Sequence, residues 1–168
     1  MMIPSACVRL TACVILLCNL LIAGCSDGLS EYQRDQLKMQ AGQDSLAAIG
    51  AKVEMKRFPQ GDAWAVDLSG KTISSETFAD LATLRRVVEL DLSGTNFNDD
   101  FVPLINDTMV RDFLLKLNLS DTAVTDRGLE GLTETYLLNN LNVSNTQVTK
   151  NGVTSLKGRW PTMKIVND

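Results

Sequence analysis

The stretch 117-LNLSDTAVTDRGLEGL-132 contains three kinds of residue in a fixed order. Leucines alternate with small polar residues from Leu117, a Ser-Asp-Thr corner follows, and Leu129 and Leu132 then stand three residues apart. Alternation with a period of two indicates a strand, the corner residues favour a turn, and apolar residues at this spacing indicate a helix face. The stretch therefore predicts a strand, a turn and a helix in that order.

The same order recurs along the chain. LDLSGTNFND begins at Leu90, LNLSDTAVTD at Leu117 and LNVSNTQVTK at Leu141, while VDLSGKTIS, a degenerate copy, begins at Val66 and a partial copy places Ile165 at the same position. The spacing of these starts is constant, except for one longer interval between Leu90 and Leu117. A period of about 24 residues predicts supersecondary units that bury their apolar side chains only when another copy stacks on them.

The repeated unit resembles the leucine-rich repeat, whose pattern is L-x-x-L-x-L-x-x-N with an apolar residue two positions later. The asparagine position holds threonine in three copies, and a threonine hydroxyl can bond the turn backbone. Lys71 holds that position in the first copy and cannot accept such a bond. The matching positions are Ala63, Val66, Leu68, Lys71 and Ile73; Val87, Leu90, Leu92, Thr95 and Phe97; Leu114, Leu117, Leu119, Thr122 and Val124; and Leu138, Leu141, Val143, Thr146 and Val148.

The S-x-T-x-V-T-D-x-G-L form is most similar to the repeats of bacterial leucine-rich repeat lipoproteins. This resemblance implies an α/β solenoid over residues 63–168, with parallel strands on the concave face and helices on the convex face. The helical half of each copy carries apolar pairs that we expect in the core: Phe78 and Leu81, Val102 and Ile105, Leu129 and Leu132, and Val153 and Leu156. Three extra residues around Asn106-Asp107-Thr108 account for the longer interval and are expected to bulge on the helical side.

Residues 1–24 have the composition of a secretory signal, with Arg9 followed by an uncharged apolar run. The end of this segment, Leu21-Ile22-Ala23-Gly24-Cys25, resembles a bacterial lipobox, which implies cleavage after Gly24 and lipidation of Cys25. Residues 25–29 would then form a lipidated tether. An ordinary signal peptide and an uncleaved membrane anchor are the alternatives, although the apolar run is short for a span of about 20 residues.

Removal of residues 1–24 takes away one basic residue, Arg9, so that 15 basic and 20 acidic residues remain, with a formal charge of −5. The only cysteine left is Cys25. No disulfide framework is possible in such a chain. The acidic balance disfavours a nucleic-acid partner. Because it also argues against a basic membrane-binding face, the lipid would attach the protein to the membrane. In similar lipoproteins, serine after the lipidated cysteine, here Ser26, implies export to the outer membrane, facing the periplasm.

Residues 30–62 are predicted to form an N-terminal helix and a hairpin-like cap. Ser30-Glu31-Tyr32-Gln33 matches the capping-box pattern at a helix start, and the helix is expected to reach about Ile49 with an interruption at Gly42. A strand at Val53–Lys56, a turn at 59–62 and a strand at Trp64–Leu68 follow. Because the first strand of a parallel stack exposes unpaired backbone, a cap is required there, and Phe58 and Trp64 are candidates for its apolar cover.

Positions flanking the strand leucines are predicted to form three polar columns across the open face of the sheet. Nine residues of these columns are the candidate protein-binding face: Glu89, Asp91, Ser93, Lys116, Asn118, Ser120, Asn140, Asn142 and Ser144. Ala65, Asp67 and Ser69 continue the columns into the first copy. Glu89 beside Lys116 is expected to be a surface ion pair, which contributes little energy.

The sequence offers few residues that could catalyse a reaction. The sequence has no histidine and, after processing, no free thiol, so the commonest general base and a cysteine nucleophile are absent. No residue pattern indicates a cofactor or a metal. The remaining enzymatic alternative places Asp67 and Asp91 on adjacent strands about 4.8 Å apart, where they could share a proton or a cation, although a solvated polar ladder is the simpler interpretation.

The sequence thus predicts a non-catalytic protein-binding module, held at the bacterial envelope by an N-terminal lipid. A passive structural role, with self-association through the helix at 30–49, is the alternative. Trp160 is expected to close the far end of the core, and Tyr136 to pack in the same manner.

Overall fold

The structure is a computed structural model that describes residues 28–168, except positions 60, 109 and 133–134. The predicted signal segment 1–24 and the lipidation site Cys25 lie outside the described residues. Of the described residues, 28–34 belong to one compact unit and 35–168 to a second. In the smaller unit the predicted capping box is confirmed, because Ser30 Oγ accepts from the Gln33 amide at 3.2 Å and Gln33 Oε1 accepts from the Ser30 amide at 2.8 Å.

The described residues form a mixed α/β fold with one six-stranded sheet that is not closed into a barrel. The strands are β1 (Lys52–Phe58), β2 (Gly61–Asp67), β3 (Val87–Asp91), β4 (Lys116–Asn118), β5 (Asn140–Asn142) and β6 (Lys164–Val166). The α-helices are α1 (Glu31–Ala48), α2 (Ser75–Thr83), α3 (Val102–Asn106), α4 (Val110–Phe113), α5 (Asp126–Gly131) and α6 (Lys150–Arg159), and a 3₁₀ turn at Asp99–Phe101 precedes α3. Within this described part, no helix combines the length and the apolar character that a membrane span requires.

The strands lie in chain order, and β2 to β6 pair in parallel. Helices occupy each connection between these parallel strands, as parallel pairing requires of a crossover. The apolar residue that starts each copy pairs with the equivalent residue on the neighbouring strand. This series is Val66, Leu90, Leu117, Leu141 and Ile165. The register therefore follows the period of the sequence, because a slip of one residue would turn the leucines away from the core.

The predicted hairpin is confirmed, with β1 and β2 antiparallel from Lys52 opposite Asp67 to Phe58 opposite Gly61. The predicted turn at 59–62 is too long, because β2 already begins at Gly61. Trp64 packs against the core as expected. Phe58 remains 36% exposed, so the expectation that it helps to cover the core is wrong.

One hydrophobic core lies between the sheet and the helices that connect its strands. All apolar residues at the leucine-pattern positions of the four copies are buried, and the corner threonines Thr95 and Thr122 are buried with them. Ile165 of the partial copy is partly buried. The helical pairs are buried too, except that Val153 in the last copy is only partly buried. The internal repeat thus correctly identified most of the core, to which Leu46, Leu84, Val110 and Met163 also belong.

α1 continues through Gly42, so the predicted interruption is wrong. Gly42 is buried against α2, and a Cβ added there would overlap Thr83 Oγ1 and lie 3.0 Å from the Asp80 carbonyl oxygen. Leu46, one turn later, is fully buried in the core. Ser45 also donates to Asp80, and Arg85 pairs with Asp35. Gly42 therefore permits close helix packing, which confirms that this helix packs on the repeats.

The three extra residues of the longer copy occur in the helical connection between β3 and β4, as predicted. α3 ends at Asn106, a turn follows, and α4 begins at Val110, so the insertion divides this connection into two short helices. Val110 is buried in the core. The Asn106 side chain donates to the Gly131 carbonyl at 2.6 Å, and this bond connects the insertion to α5.

Candidate functional site

The predicted polar columns run across β2 to β5, and β6 extends the first two by one residue each. The first column is Ala65, Glu89, Lys116, Asn140 and Lys164, and the second is Asp67, Asp91, Asn118, Asn142 and Val166, each member paired in register with the next. Both columns line an open concavity of about 540 Å³, to which β1 adds Lys52, Glu54 and Lys56. We call the exposed surface of these columns the polar face.

The second and third columns form a repeated corner at the end of each strand. Asn142 Oδ1 accepts from both the amide and the hydroxyl of Ser144, at 3.1 and 2.8 Å. Asn118 with Ser120, and Asp91 with Ser93, make the same two bonds. Side chains of this kind turn the backbone by bonding two residues ahead. The hydroxyl protons of Ser93, Ser120 and Ser144 are therefore used within the corner, and the first column offers the more accessible polar groups.

The first column contains the expected ion pair. Lys116 Nζ lies 2.8 Å from Glu89 Oε1, which confirms the predicted contact between adjacent strands. Both side chains are partly exposed to solvent. Such a pair contributes about 1 kcal/mol or less, so its charged groups can exchange partners at little cost. Asn140 follows on β5, and its amide group donates to the neighbouring Asn139 side chain.

Asp67 and Asp91 are paired on adjacent strands, but each carboxylate already accepts hydrogen bonds. Hydrogen bonds from Ser69, with the charge of Lys52, hold the pKa of Asp67 below its ordinary value against the opposing effect of burial. Asp91 accepts from Ser93 and, at 3.0 Å, from the Asn118 amide group. In the described part of the chain, no three acidic, histidine or cysteine side chains group as metal ligands would. Asp67 and Asp91 are thus neighbouring members of a hydrogen-bonded row of polar side chains along the sheet.

The residue after each corner serine has a left-handed backbone. Gly70, Gly94, Asp121 and Asn145 have φ values of 66°, 63°, 57° and 54°. Glycine adopts this conformation without strain, and aspartate and asparagine tolerate it better than most residues do. The Asn145 side chain also donates to Asp121 Oδ1 at 3.2 Å. The corner thus explains why the third column is followed by Gly, Gly, Asp and Asn.

An Asp–Thr interlock connects successive helices and was not predicted from the sequence. Asp99 accepts from the amide and hydroxyl of Thr125, at 2.9 and 2.6 Å. Asp126 accepts the same two bonds from Thr149, at 2.7 and 2.6 Å. Each threonine is also the N-cap of its own helix. The signal was present at equivalent positions of the repeat, which hold Asn98-Asp99, Thr125-Asp126 and Thr149. Such residues by themselves indicate only turn chemistry.

Glycine at the third helical position makes room for the interlock. A Cβ on Gly128 would overlap Asp99 Oδ1, and one on Gly152 would overlap Asp126 Oδ1. The second copy has Phe101 at this position, and the first-copy residue corresponding to Asp99 is Ser75. Phe101 instead stacks on Phe78 and Phe97, with ring centroids 5.8 and 5.9 Å away.

The interlock favours the ionised carboxylates. Burial acts to raise the pKa of Asp99, but the Thr125 hydrogen bonds and the charge of Arg127 outweigh it, so this pKa lies below its ordinary value. The Thr149 hydrogen bonds lower the pKa of Asp126, with a smaller opposing effect of burial. Asp99 and Asp126 therefore stabilise the fold through their charged forms, and they lie outside the polar face.

The first copy compensates for Lys71 with a side chain from the second. The Thr95, Thr122 and Thr146 hydroxyls each donate to the carbonyl three residues earlier. Thr95 and Thr146 also accept from the amide two residues later, a bond that a lysine cannot accept. At the first copy, Asn96 instead accepts from the Ile73 amide at 2.8 Å and donates to the Ile73 carbonyl at 3.1 Å. The backbone there is satisfied although Lys71 cannot accept a hydrogen bond.

The two aromatic residues expected at the far end behave differently. Trp160 is half-buried against the core, with the Arg159 guanidinium 4.9 Å from its ring centre, which agrees with a closing role. Tyr136 is mostly exposed, as is Leu137 beside it, so the expectation that Tyr136 packs in the same manner is wrong.

No protein-family model matches this chain, and no curated protein matches it either. The fold and the candidate site therefore define the class as a mixed α/β protein with a six-stranded sheet and a polar face.

Proposed function

We propose that the chain is a leucine-rich repeat solenoid whose polar face binds a protein partner without catalysing a reaction. Two observations support the solenoid. Equivalent residues of successive copies stand side by side from β2 to β6. The Asp–Thr interlock also repeats between the connecting helices. An architecture of this kind presents an extended surface made of one strand per repeat.

The observation that carries the binding role is the continuity of the polar face across five neighbouring strands. Its side chains offer donors and acceptors at the regular strand spacing of about 4.8 Å. The concavity formed by this face and β1 contains four basic and four acidic side chains, so it is locally neutral on an acidic protein. These are Lys52, Lys56, Lys116 and Lys164, and Glu54, Asp67, Glu89 and Asp91. Such a surface suits a polar protein segment better than a highly charged polymer.

The side chains of the face do not favour catalysis. Carboxylate pairs act as acid and base when their environments separate their pKa values. Asp67 is instead stabilised in its ionised form, and Asp91 is surrounded by hydrogen-bond donors. The chain also has no histidine to accept a proton near neutral pH. The function proposed here therefore needs no cofactor and no metal.

Site-specific cross-linking tests the binding role. A photoreactive residue at Asn140, on the polar face, is expected to capture a discrete partner in cells that express the full chain. The matched control carries the same residue at Ser155, an exposed position on α6. Capture of the same protein with equal yield from both positions, or from Ser155 alone, would contradict binding through the polar face.

We further propose that the protein is lipidated at Cys25 and acts at the bacterial outer membrane, facing the periplasm. The support is the sequence 21–25, which follows an apolar signal-like segment at the appropriate distance, together with Ser26. In a lipidating bacterial host, the wild-type chain is expected to begin at an acylated Cys25 and to fractionate with the membrane. Cys25→Ala should lose both properties, whereas a wild-type protein that is cleaved elsewhere and soluble would overturn this proposal.

A second candidate function is structural, with self-association through α1. Leu37 is 57% exposed, and Ile49, immediately after α1, is 41% exposed. Exposed apolar side chains on one helix can form a contact between copies. If this candidate is correct, Leu37→Asp with Ile49→Asp should convert an associated wild-type protein to monomers, as measured by sedimentation. Association that persists unchanged in this variant would exclude α1 as the contact.

A further inference from the structure

β1 is an edge strand with an unusual combination of length and exposure. Its seven residues, Lys52–Phe58, pair with β2 on one side, and no other strand of the described residues lies on the opposite side. Met55 is 49% exposed, and most of its neighbours are also exposed. The outer backbone groups of such an edge can pair with another strand.

The charge pattern of β1 discriminates between possible partners. Glu54 and Lys56 lie on one face of the strand, with Glu54 Oε2 and Lys56 Nζ 3.2 Å apart. Across the hairpin they stand opposite Ala65 and Ala63, which carry no charge. Basic side chains on an edge normally discourage pairing with another strand. A partner strand would therefore have to place an acidic group opposite Lys56.

We infer that β1 pairs with β1 of a second copy, antiparallel and centred on Met55. In this register Glu54 of each copy stands opposite Lys56 of the other, which gives two ion pairs related by the two-fold axis. The two Met55 side chains meet at the axis and become covered. Cross-strand pairs of opposite charge are favourable, and a two-fold contact requires this self-complementarity.

The neighbouring registers are disfavoured by the same residues. Centring the pair on Glu54 places Glu54 opposite itself and Lys52 opposite Lys56. Centring it on Lys56 places Lys56 opposite itself. Like charges directly opposite each other destabilise a strand pair. Centring the pair on Val53 would again place Lys52 opposite Glu54, but only three residues of β1 would then overlap, against seven in the register centred on Met55. Charge and overlap together therefore select the register centred on Met55, which would join the two sheets edge to edge and place the two polar faces on the same side.

Charge reversal with rescue tests the contact. The purified full chain, with any bound detergent density-matched, is examined by sedimentation velocity up to about 1 mM, because a strand-to-strand contact is small and its affinity modest. Wild type is expected to form dimers. Glu54→Lys and Lys56→Glu, made singly, each place like charges opposite and should weaken the dimer about tenfold or more. The double exchange restores opposite charges and should restore the dimer.

Lys157→Glu on α6 is the control, because it changes the net charge as much as Lys56→Glu does, at an exposed site away from β1. It should leave the dimer unchanged, and circular dichroism should show that every variant is folded. A wild-type protein that stays monomeric would overturn the inference. So would single variants that dimerise as wild type does, or a double exchange that remains as weak as the single variants.

Discussion

Four residues of the segment 125-TDRGL-129 perform five separate tasks. Thr125 caps α5 and donates to Asp99 of the preceding copy, while Asp126 accepts from Thr149 of the following one. Gly128 leaves space for Asp99, and Leu129 is buried in the core. The order is fixed because each task depends on a particular distance from the helix start.

Asp99→Asn is expected to lower the free energy of unfolding at pH 7 by about 1–3 kcal/mol, because a charged acceptor of several hydrogen bonds is lost. The pKa of Asp99 is lowered in the folded protein. The stabilisation that the ionised Asp99 carboxylate gives to the folded protein is therefore complete above the unfolded-state pKa of about 3.9. This stabilisation disappears as the pH falls through the folded-state pKa.

Urea unfolding at pH 7 and at pH 2 to 3 measures this effect. The stability difference between wild type and Asp99→Asn should shrink at the acidic pH. Asp100→Asn is the control, because Asp100 is 84% exposed and should change stability by less than about 0.5 kcal/mol. A difference that is the same at both pH values would show that the carboxylate charge is not responsible.

Gly152→Ala is expected to destabilise the protein by about 1–3 kcal/mol, because the new methyl group would overlap Asp126, which Thr149 holds in place. Gly158→Ala in the same helix meets nothing within 4 Å. It should instead stabilise the protein by up to about 1 kcal/mol through helix propensity. Removal of Asp126 in the Gly152→Ala background should reduce the penalty, and strictly additive effects would contradict the overlap.

Among the secondary-structure elements, α1 shows that tertiary packing can favour a glycine that helix propensity alone disfavours. Glycine inside a helix is unfavourable by propensity, which is why the sequence predicted an interruption at Gly42. The structure uses the absence of a side chain at Gly42 to bring α1 against Asp80 and Thr83 of α2. Sequence reasoning on a single helix cannot identify such a contact, because the neighbouring helix comes much later in the chain.

Gly42→Ala separates these two interpretations by the sign of its effect. If Gly42 merely weakens the helix, alanine should stabilise the protein by about 1 kcal/mol. Because a methyl group would overlap Thr83 Oγ1, we expect a net loss of stability and faster hydrogen exchange in α1. Ala41→Gly, at an exposed neighbour, is the control and should show only the propensity cost.

For the whole molecule, the period of the repeat predicted the strand register and nearly all of the core. Only one strand register buries the leucines, so the leucine pattern was sufficient to predict the register. The hairpin bounds, the interlock and the role of Asn96 were not predictable in the same way, because Asp, Asn, Ser and Thr have several local bonding options of similar energy. The three columns were predicted, whereas the hydrogen bonds that hold the hydroxyl protons of the third-column serines within the corners were not.

The most direct test of the proposed function is calorimetric titration of the cross-linked partner against two charge-matched double variants. Lys116→Glu with Asn140→Glu alters the first column of the polar face, and Lys157→Glu with Ser155→Glu makes the same charge changes on α6. We expect the first variant to bind about tenfold or more weakly and the second to bind as wild type does. Undiminished binding by the first variant, with loss in the second, would contradict the proposed role of the polar face.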